Sequence, residues 1–249
     1  MTMMNEETRR KLRELNLGEM ITALDLQNGD ITYATLSFDE RLKMAIDHIY
    51  QEKYNDKVQR LIKLSKFRIM NAVVEDIHYV DRGLDRQAIL EVGTCQFIDS
   101  YSNVVFHGFT GAGKSFLACA IGKQACKHGK RTRYIRLQDL LAMRDEATLT
   151  SKGVSKLIKQ FSSYVLLILD EWLIDELSEE EQRFLYEIFE RRHDTASTIF
   201  CTQYKKEDWH IRLGGEAHAD AIMDRIVHNT IWIYSGNLNM REFYAKKKQ

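Results

Sequence analysis

The chain has 249 residues, 36 Lys and Arg set against 36 Asp and Glu, four cysteines and no proline. At about 100–200 residues per domain, this length makes one large or two modest domains. An apolar share of 44% with 29% charged residues excludes a disordered chain, and the missing proline excludes Pro-rich linkers, polyproline ligands and cis-prolyl turns.

Residues 1 to about 68 read as helical throughout. Leu12, Leu15 and Leu17 belong to a short amphipathic helix that breaks at Gly18. Ser37 and Glu40 form a capping box, each side chain serving the other's free backbone N–H. Behind it Leu42, Ala45, Ile46, Ile49 and Tyr50 recur at helical spacing, and the stripe resumes with Tyr54, Val58, Leu61 and Ile62. The pattern predicts a small all-helical N-terminal domain, 1–68, ahead of a second domain, 69–249. The second opens with a connecting stretch and a helix from about Asp85 to Tyr101, followed by a short apolar strand at Asn103–His107. A glycine-rich turn leads into a helix from Gly113 to His128. Further strands are predicted at Arg133 to Leu137, Tyr164 to Leu169, Thr198 to Thr202 and Thr230 to Tyr234. Helical patterns separate them, one begun by the capping box Ser178 to Glu181, with Phe184, Leu185, Ile188 and Phe189 inward. Strands alternating with helices imply an α/β fold with a parallel sheet covered on both faces.

Two motifs carry chemistry. Gly108-Phe109-Thr110-Gly111-Ala112-Gly113-Lys114-Ser115 matches G-x-x-x-x-G-K-[ST] between a predicted strand and a predicted helix. The glycines let backbone N–H groups converge on phosphates at the positive end of the helix. Lys114 is placed to neutralise β- and γ-phosphate charge, Ser115 to ligate Mg²⁺, and Phe116 completes the candidate ATP-binding set. The run Val165-Leu166-Leu167-Ile168-Leu169-Asp170-Glu171 is a buried strand delivering two carboxylates to the sheet's edge. Asp170 is the candidate for the Mg²⁺ shell, and Glu171 for the base that orients and deprotonates the attacking water.

With these motifs and the blocks LILDEW (Leu167 to Trp172), STIFCTQY (Ser197 to Tyr204) and DAIMDRIV (Asp220 to Val227), almost the whole chain resembles the AAA+ ATPases of the IstB type. These are helpers of insertion-sequence transposition, related to the DnaC helicase loader. The resemblance implies a P-loop NTPase fold with a five-stranded parallel sheet between helices. It also implies an ATPase that assembles on double-stranded DNA, cooperates with a DDE-type transposase and influences target selection. Thr202 and Gln203 match the position that senses the γ-phosphate, and Arg225 matches an arginine finger presented in trans to a neighbouring subunit of a homo-oligomer. Arg241 falls at another basic position of the family; with eight residues after it, no separate helical lid is expected. Phe109 stands where many members carry proline, and Leu173 where glycine often follows.

The zero formal charge hides segregation. Basic residues dominate Lys127 to Lys159, matching the region where related proteins carry a DNA-facing helix; Arg144, Lys152, Lys156 and Lys159 are the candidate phosphate contacts. A second basic run, Lys53 to Arg68, adds Lys57 and Arg60. Asp170 to Asp194 is acidic. Cys95, Cys119, Cys126 and Cys201 have neither CxxC nor metal spacing and read as buried free thiols of a reducing compartment. No signal peptide is evident, and the longest strongly apolar run is far too short for a bilayer, so a bacterial cytoplasmic protein without membrane contact is expected. Two alternatives stand beside the transposition helper: a DnaC-like replicative helicase loader, and an ATP-switched DNA-binding protein with little turnover.

Overall fold

The structure is a computed structural model that describes residues 4–247; the extreme ends of the two expected domains, 1–3 and 248–249, lie outside the described residues. The chain divides into two compact units between Arg60 and Leu61. The first is helical. Helix α1 (Glu6–Glu14) starts where the Asn5 side chain accepts the Thr8 N–H at 2.8 Å. It is followed by α2 (Gly18–Gly29), which buries Ile21 and Ala23, and by α3 (Phe38–Ser65). The capping box at the start of α3 is present: Ser37 N–H donates to Glu40 Oε2 at 2.8 Å, and Glu40 N–H to Ser37 Oγ at 3.3 Å. The two apolar stripes form one helix because neither Gly nor Pro interrupts 38–65. The division falls within α3, which runs on to Ser65.

Beyond the end of α3, the second unit continues with α4 (Arg86–Gly93) and the single turn α5 (Gln96–Asp99). The sequence pattern predicts one helix here, from Asp85 to Tyr101. Instead the chain breaks at Cys95, which takes φ 63°, after Thr94 has turned its hydroxyl back onto the Glu91 carbonyl at 2.7 Å. Strand β1 (Asn103–His107) leads through the glycine turn into α6 (Lys114–Lys127). Then come β2 (Thr132–Arg136), α7 (Leu137–Thr148), α8 (Gly153–Ser162) and β3 (Leu166–Asp170). The chain continues with α9 (Glu179–Arg192), β4 (Ser197–Thr202), α10 (Lys206–Arg212) and α11 (Ala217–Val227). Strand β5 (Thr230–Tyr234) and helix α12 (Met240–Lys246) complete the described chain.

All five strands are parallel, in the order β2-β3-β4-β1-β5. Strand side chains alternate between two cores. Val104, Phe106, Leu166, Ile168, Ile199 and Cys201 pack with α4 to α6. Val105, Leu167, Leu169 and Phe200 pack with α7 to α11 around Trp172 and Trp209. Both faces being covered, the central strands β3 and β4 are buried along their whole length rather than at every second residue. From β1 the chain crosses to the far edge at β2 and works back, so β4 lies beside β1, with β5 on its other side. Ligand crevices in such sheets form outside the carboxyl ends of strands where the order reverses, which is the edge at His107, Asp170 and Thr202.

Candidate nucleotide-binding site

The glycine turn is shaped by backbone that side chains would obstruct. Gly108, Gly111 and Gly113 have φ 147°, 94° and 87°. A Cβ on Gly111 would come within 2.5 Å of Asn239 Oδ1, and one on Gly113 within 2.9 Å of Arg82 Nη2. Helix α6 starts directly after Gly113, so its unpaired first-turn N–H groups face the loop, an arrangement that binds phosphate. Lys114 Nζ folds over the loop, donating to the carbonyls of Gly108 at 2.7 Å and Phe109 at 2.9 Å. Burial pulls the lysine's pKa below its ordinary value.

Asp170 ends β3 at 2% exposure and accepts from three directions. Ser115 Oγ donates to Oδ2 at 2.6 Å, the Tyr134 hydroxyl to the same oxygen at 2.5 Å, and the Glu171 N–H to Oδ1 at 2.9 Å. Burial, then the Asp170 charge, drives the Tyr134 phenol far above its usual pKa and keeps it a donor. Glu171 takes φ 58°, turning its carboxylate toward Arg68 at 3.2 Å and Arg136 at 3.8 Å. Leu173 also takes φ 58°, a conformation that glycine adopts without strain and a leucine does not, two residues after Glu171.

These groups line one cleft of about 390 Å³. It contains Thr110, Gly111, Gly113, Lys114, Ser115, Phe116, Asp170, Glu171, Thr202 and Gln203. Ala112 is fully buried in the loop, and Phe109 is exposed and outside the cleft lining. Thr202 Oγ1 donates to the Trp172 carbonyl at 3.0 Å and accepts from Tyr204 N–H at 3.1 Å. Gln203 Oε1 accepts from the Thr110 hydroxyl at 2.8 Å, leaving its amide NH₂ without a partner among the described residues. For a cation, the fit is chemical. Mg²⁺ beside phosphates takes one or two protein oxygens, and Ser115 Oγ and Asp170 Oδ2 form such a hard-oxygen pair facing the cleft.

The remaining expected residues lie elsewhere. Arg225, on α11, is outside the cleft lining; it pairs with Glu190, lies 4.9 Å from the Tyr186 ring centroid and donates to the Ala221 carbonyl at 2.8 Å. Arg144 is bound to Asp145 and Glu180, its side chain only 13% exposed. Lys152, Lys156 and Lys159 are exposed on or beside α8, as are Lys57 and Arg60 on α3, and none has an ion-pair partner among the described residues. Sequence reasoning missed Arg82, Tyr134 and His78. Arg82 is 2% exposed and braces the loop, donating to the carbonyls of Ala112 at 2.6 Å, Ser235 at 3.0 Å and His78 at 3.1 Å. Arg68, read as part of a basic surface run, instead lines the cleft. At the C-terminal end, Met240 N–H donates to the Gly111 carbonyl at 2.9 Å, and Phe243 stacks on His78 at 4.4 Å. No sequence pattern marks these contacts.

Fold and cleft together define a P-loop nucleotide-binding protein of the AAA+ class. The sequence matches the family described as IstB-like ATP binding protein over residues 10–248, and the chain belongs to that family. It is 34% identical over 249 residues to the insertion sequence ATP-binding protein y4pL of Sinorhizobium fredii, covering 98% of this chain and all of that one. It is 24% identical over 224 residues to the replicative helicase loader DnaC of Escherichia coli, covering 87% of this chain and 83% of that one. Its fold is similar to the replication initiator DnaA bound to AMPPCP and single-stranded DNA. The TM-score is 0.57 at 22% identity, covering 74% of this chain and 56% of that one. Among the described residues, no helix is long and apolar enough to cross a membrane.

Proposed function

We propose that this protein is an ATP-hydrolysing transposition helper of the bacterial cytoplasm. It oligomerises on double-stranded DNA and regulates target selection and a cognate transposase through ATP binding and hydrolysis. The observation that carries this reading is the meeting of Lys114, Ser115, Asp170 and Glu171 in one cleft at the sheet's carboxyl edge. The family membership and the insertion-sequence relatives support the transposition setting. Lys114 and the α6 N–H groups cradle the phosphates, and Ser115 with Asp170 would hold Mg²⁺, which would neutralise phosphate charge when bound. Glu171 accepts the proton of the water that attacks the γ-phosphorus, and ADP is the leaving group. Gln203, with Thr202, orients that water and the γ-phosphate. Arg225 serves a neighbour's cleft. Lys152, Lys156, Lys159, Lys57, Arg60 and Arg144 are assigned to DNA phosphates, Arg144 only after release from Asp145 and Glu180. The helical domain, 1–68, contributes partner contacts and oligomerisation.

Steady-state ATP turnover with and without duplex DNA tests the reading. Lys114→Ala is expected to lose ATP binding. Glu171→Gln should bind ATP normally while turnover falls about 10²–10⁴-fold, the range set by removing a general base. Normal affinity in the first variant, or unchanged turnover in the second, overturns these assignments. Pull-down against a transposase and a hexameric helicase separates the helper from a helicase loader.

A further inference from the structure

We infer that Tyr134 is a positioning residue for the cation side of the cleft: its phenol fixes the plane of the Asp170 carboxylate so that Oδ2 faces the cleft together with Ser115 Oγ. This inference rests on the proposed ATP and Mg²⁺ reading. The torsion that sets a carboxylate's plane is broad and two-fold, so rotamer preference alone does not orient Asp170. Three donors from three places in the chain do so. Tyr134 on β2 and Ser115 on α6 meet on Oδ2 at 2.5 and 2.6 Å, and the Glu171 N–H holds Oδ1 at 2.9 Å. Ser115 is itself a candidate cation ligand and shares its oxygen with the ion; the Glu171 N–H belongs to a backbone in left-handed conformation. Tyr134 is the donor with neither burden.

The surroundings point the same way. Tyr134 is 6% exposed in the core that also holds Cys119, Leu166, Ile168 and Cys201, and its hydroxyl, at the edge of that core, neighbours the Arg68 guanidinium as well as Asp170. A buried phenol in such a place has a partner, and the partner here is the one buried carboxylate of the cleft. Tyr134 is paired across the sheet with Ile168, two residues before Asp170, so a long rigid side chain on β2 is needed to reach the end of β3. Partners of this kind, one bond removed from a cation, typically change its affinity about 10–100-fold when deleted.

The test is Tyr134→Phe in the full-length protein, which keeps the ring and removes the donor. A fluorescent ATP analogue is titrated at fixed Mg²⁺ concentrations and in EDTA, with no turnover measured. The expected result is an unchanged affinity in EDTA, with about 10–100-fold more Mg²⁺ needed to reach the half-maximal gain in affinity. A Mg²⁺ titration identical to wild type overturns the inference. So does an equal loss of affinity with and without Mg²⁺, which marks a merely structural residue. Wild-type protein whose ATP affinity ignores Mg²⁺ removes the Mg²⁺ reading itself, and this inference with it.

Discussion

At the back of the phosphate loop, Arg82 is buried with no acidic partner among the described residues and spends its guanidinium on the carbonyls of Ala112, Ser235 and His78. Burial lowers its pKa, yet it remains a cation, and hydrogen bonds from charged donors contribute about 1.5–3 kcal/mol each. Neighbouring backbone is cut to fit: a Cβ on Gly236 would meet the Arg82 carbonyl oxygen at 2.4 Å. Arg82→Met keeps the apolar stem and strands three carbonyls. It is expected to lower unfolding stability by about 3 kcal/mol or more and to weaken ATP affinity, because Ala112 loses its brace. Chemical denaturation with an ATP titration checks both; a stability change within about 0.5 kcal/mol would show that the carbonyls find other partners. The loop itself was legible because its residues are contiguous and each glycine, lysine and serine has a local task. Arg82 was not, because the loop and strand-end carbonyls it holds, Ala112 and Ser235, lie 30 and 153 residues away along the chain. Tyr134 hides for the same reason, 36 residues from Asp170 in a strand that otherwise reads as basic.

Elements were legible where one apolar period decides them. The strands β1 and β5 fall on their predicted residues, and α9 starts at its capping box, with Ser178 and Glu181 bonded reciprocally. Failure came where local bonding competed with the period, as at Thr94 and Cys95. Charge runs were the least legible, because a run does not say which cations are already paired. Arg144 and Arg68 are held by acids, whereas α8 stays clearly divided. Leu157, Ile158 and Phe161 are buried on one face, and Lys156 and Lys159 stand on the other, with Lys152 at its start. Such a face suits the proposed contact with phosphates, which reads no bases. Replacing Lys152, Lys156 and Lys159 together by Gln is expected to leave folding intact, as the buried face is untouched. The slope of log affinity for duplex DNA against log salt should flatten by about 3, each lost phosphate contact contributing about 0.9. An unchanged slope, measured by titration over a range of salt, would move the DNA contacts off α8.

For the whole molecule, zero net charge is a cancellation between basic stretches and the acidic segment around β3 and α9. The more consequential feature is the separation of Arg225, the proposed finger, from the cleft. Arg225 lies on α11 among Glu190, Tyr186 and Ala221, and the residues lining the cleft do not include it. An arginine supplied to the transferring phosphoryl group is worth about 10³–10⁵ in rate, so under the proposed role of Arg225 a second copy is expected to be needed for fast ATP hydrolysis. Mixing two inactive variants tests this directly. Arg225→Ala keeps an intact phosphate loop and lacks the finger; Lys114→Ala keeps the finger and lacks nucleotide. Each alone should turn over ATP at least about 10³-fold more slowly than wild type. In an equimolar mixture with head-to-tail contacts, about a quarter of the interfaces set an Arg225→Ala cleft against a Lys114→Ala neighbour, and turnover returns at those interfaces. If Arg225 acted within its own chain, no interface in the mixture would be complete, and the mixed rate would equal the average of the two variants alone. Turnover of the mixture against that average, at a protein concentration high enough for assembly, decides between the two arrangements.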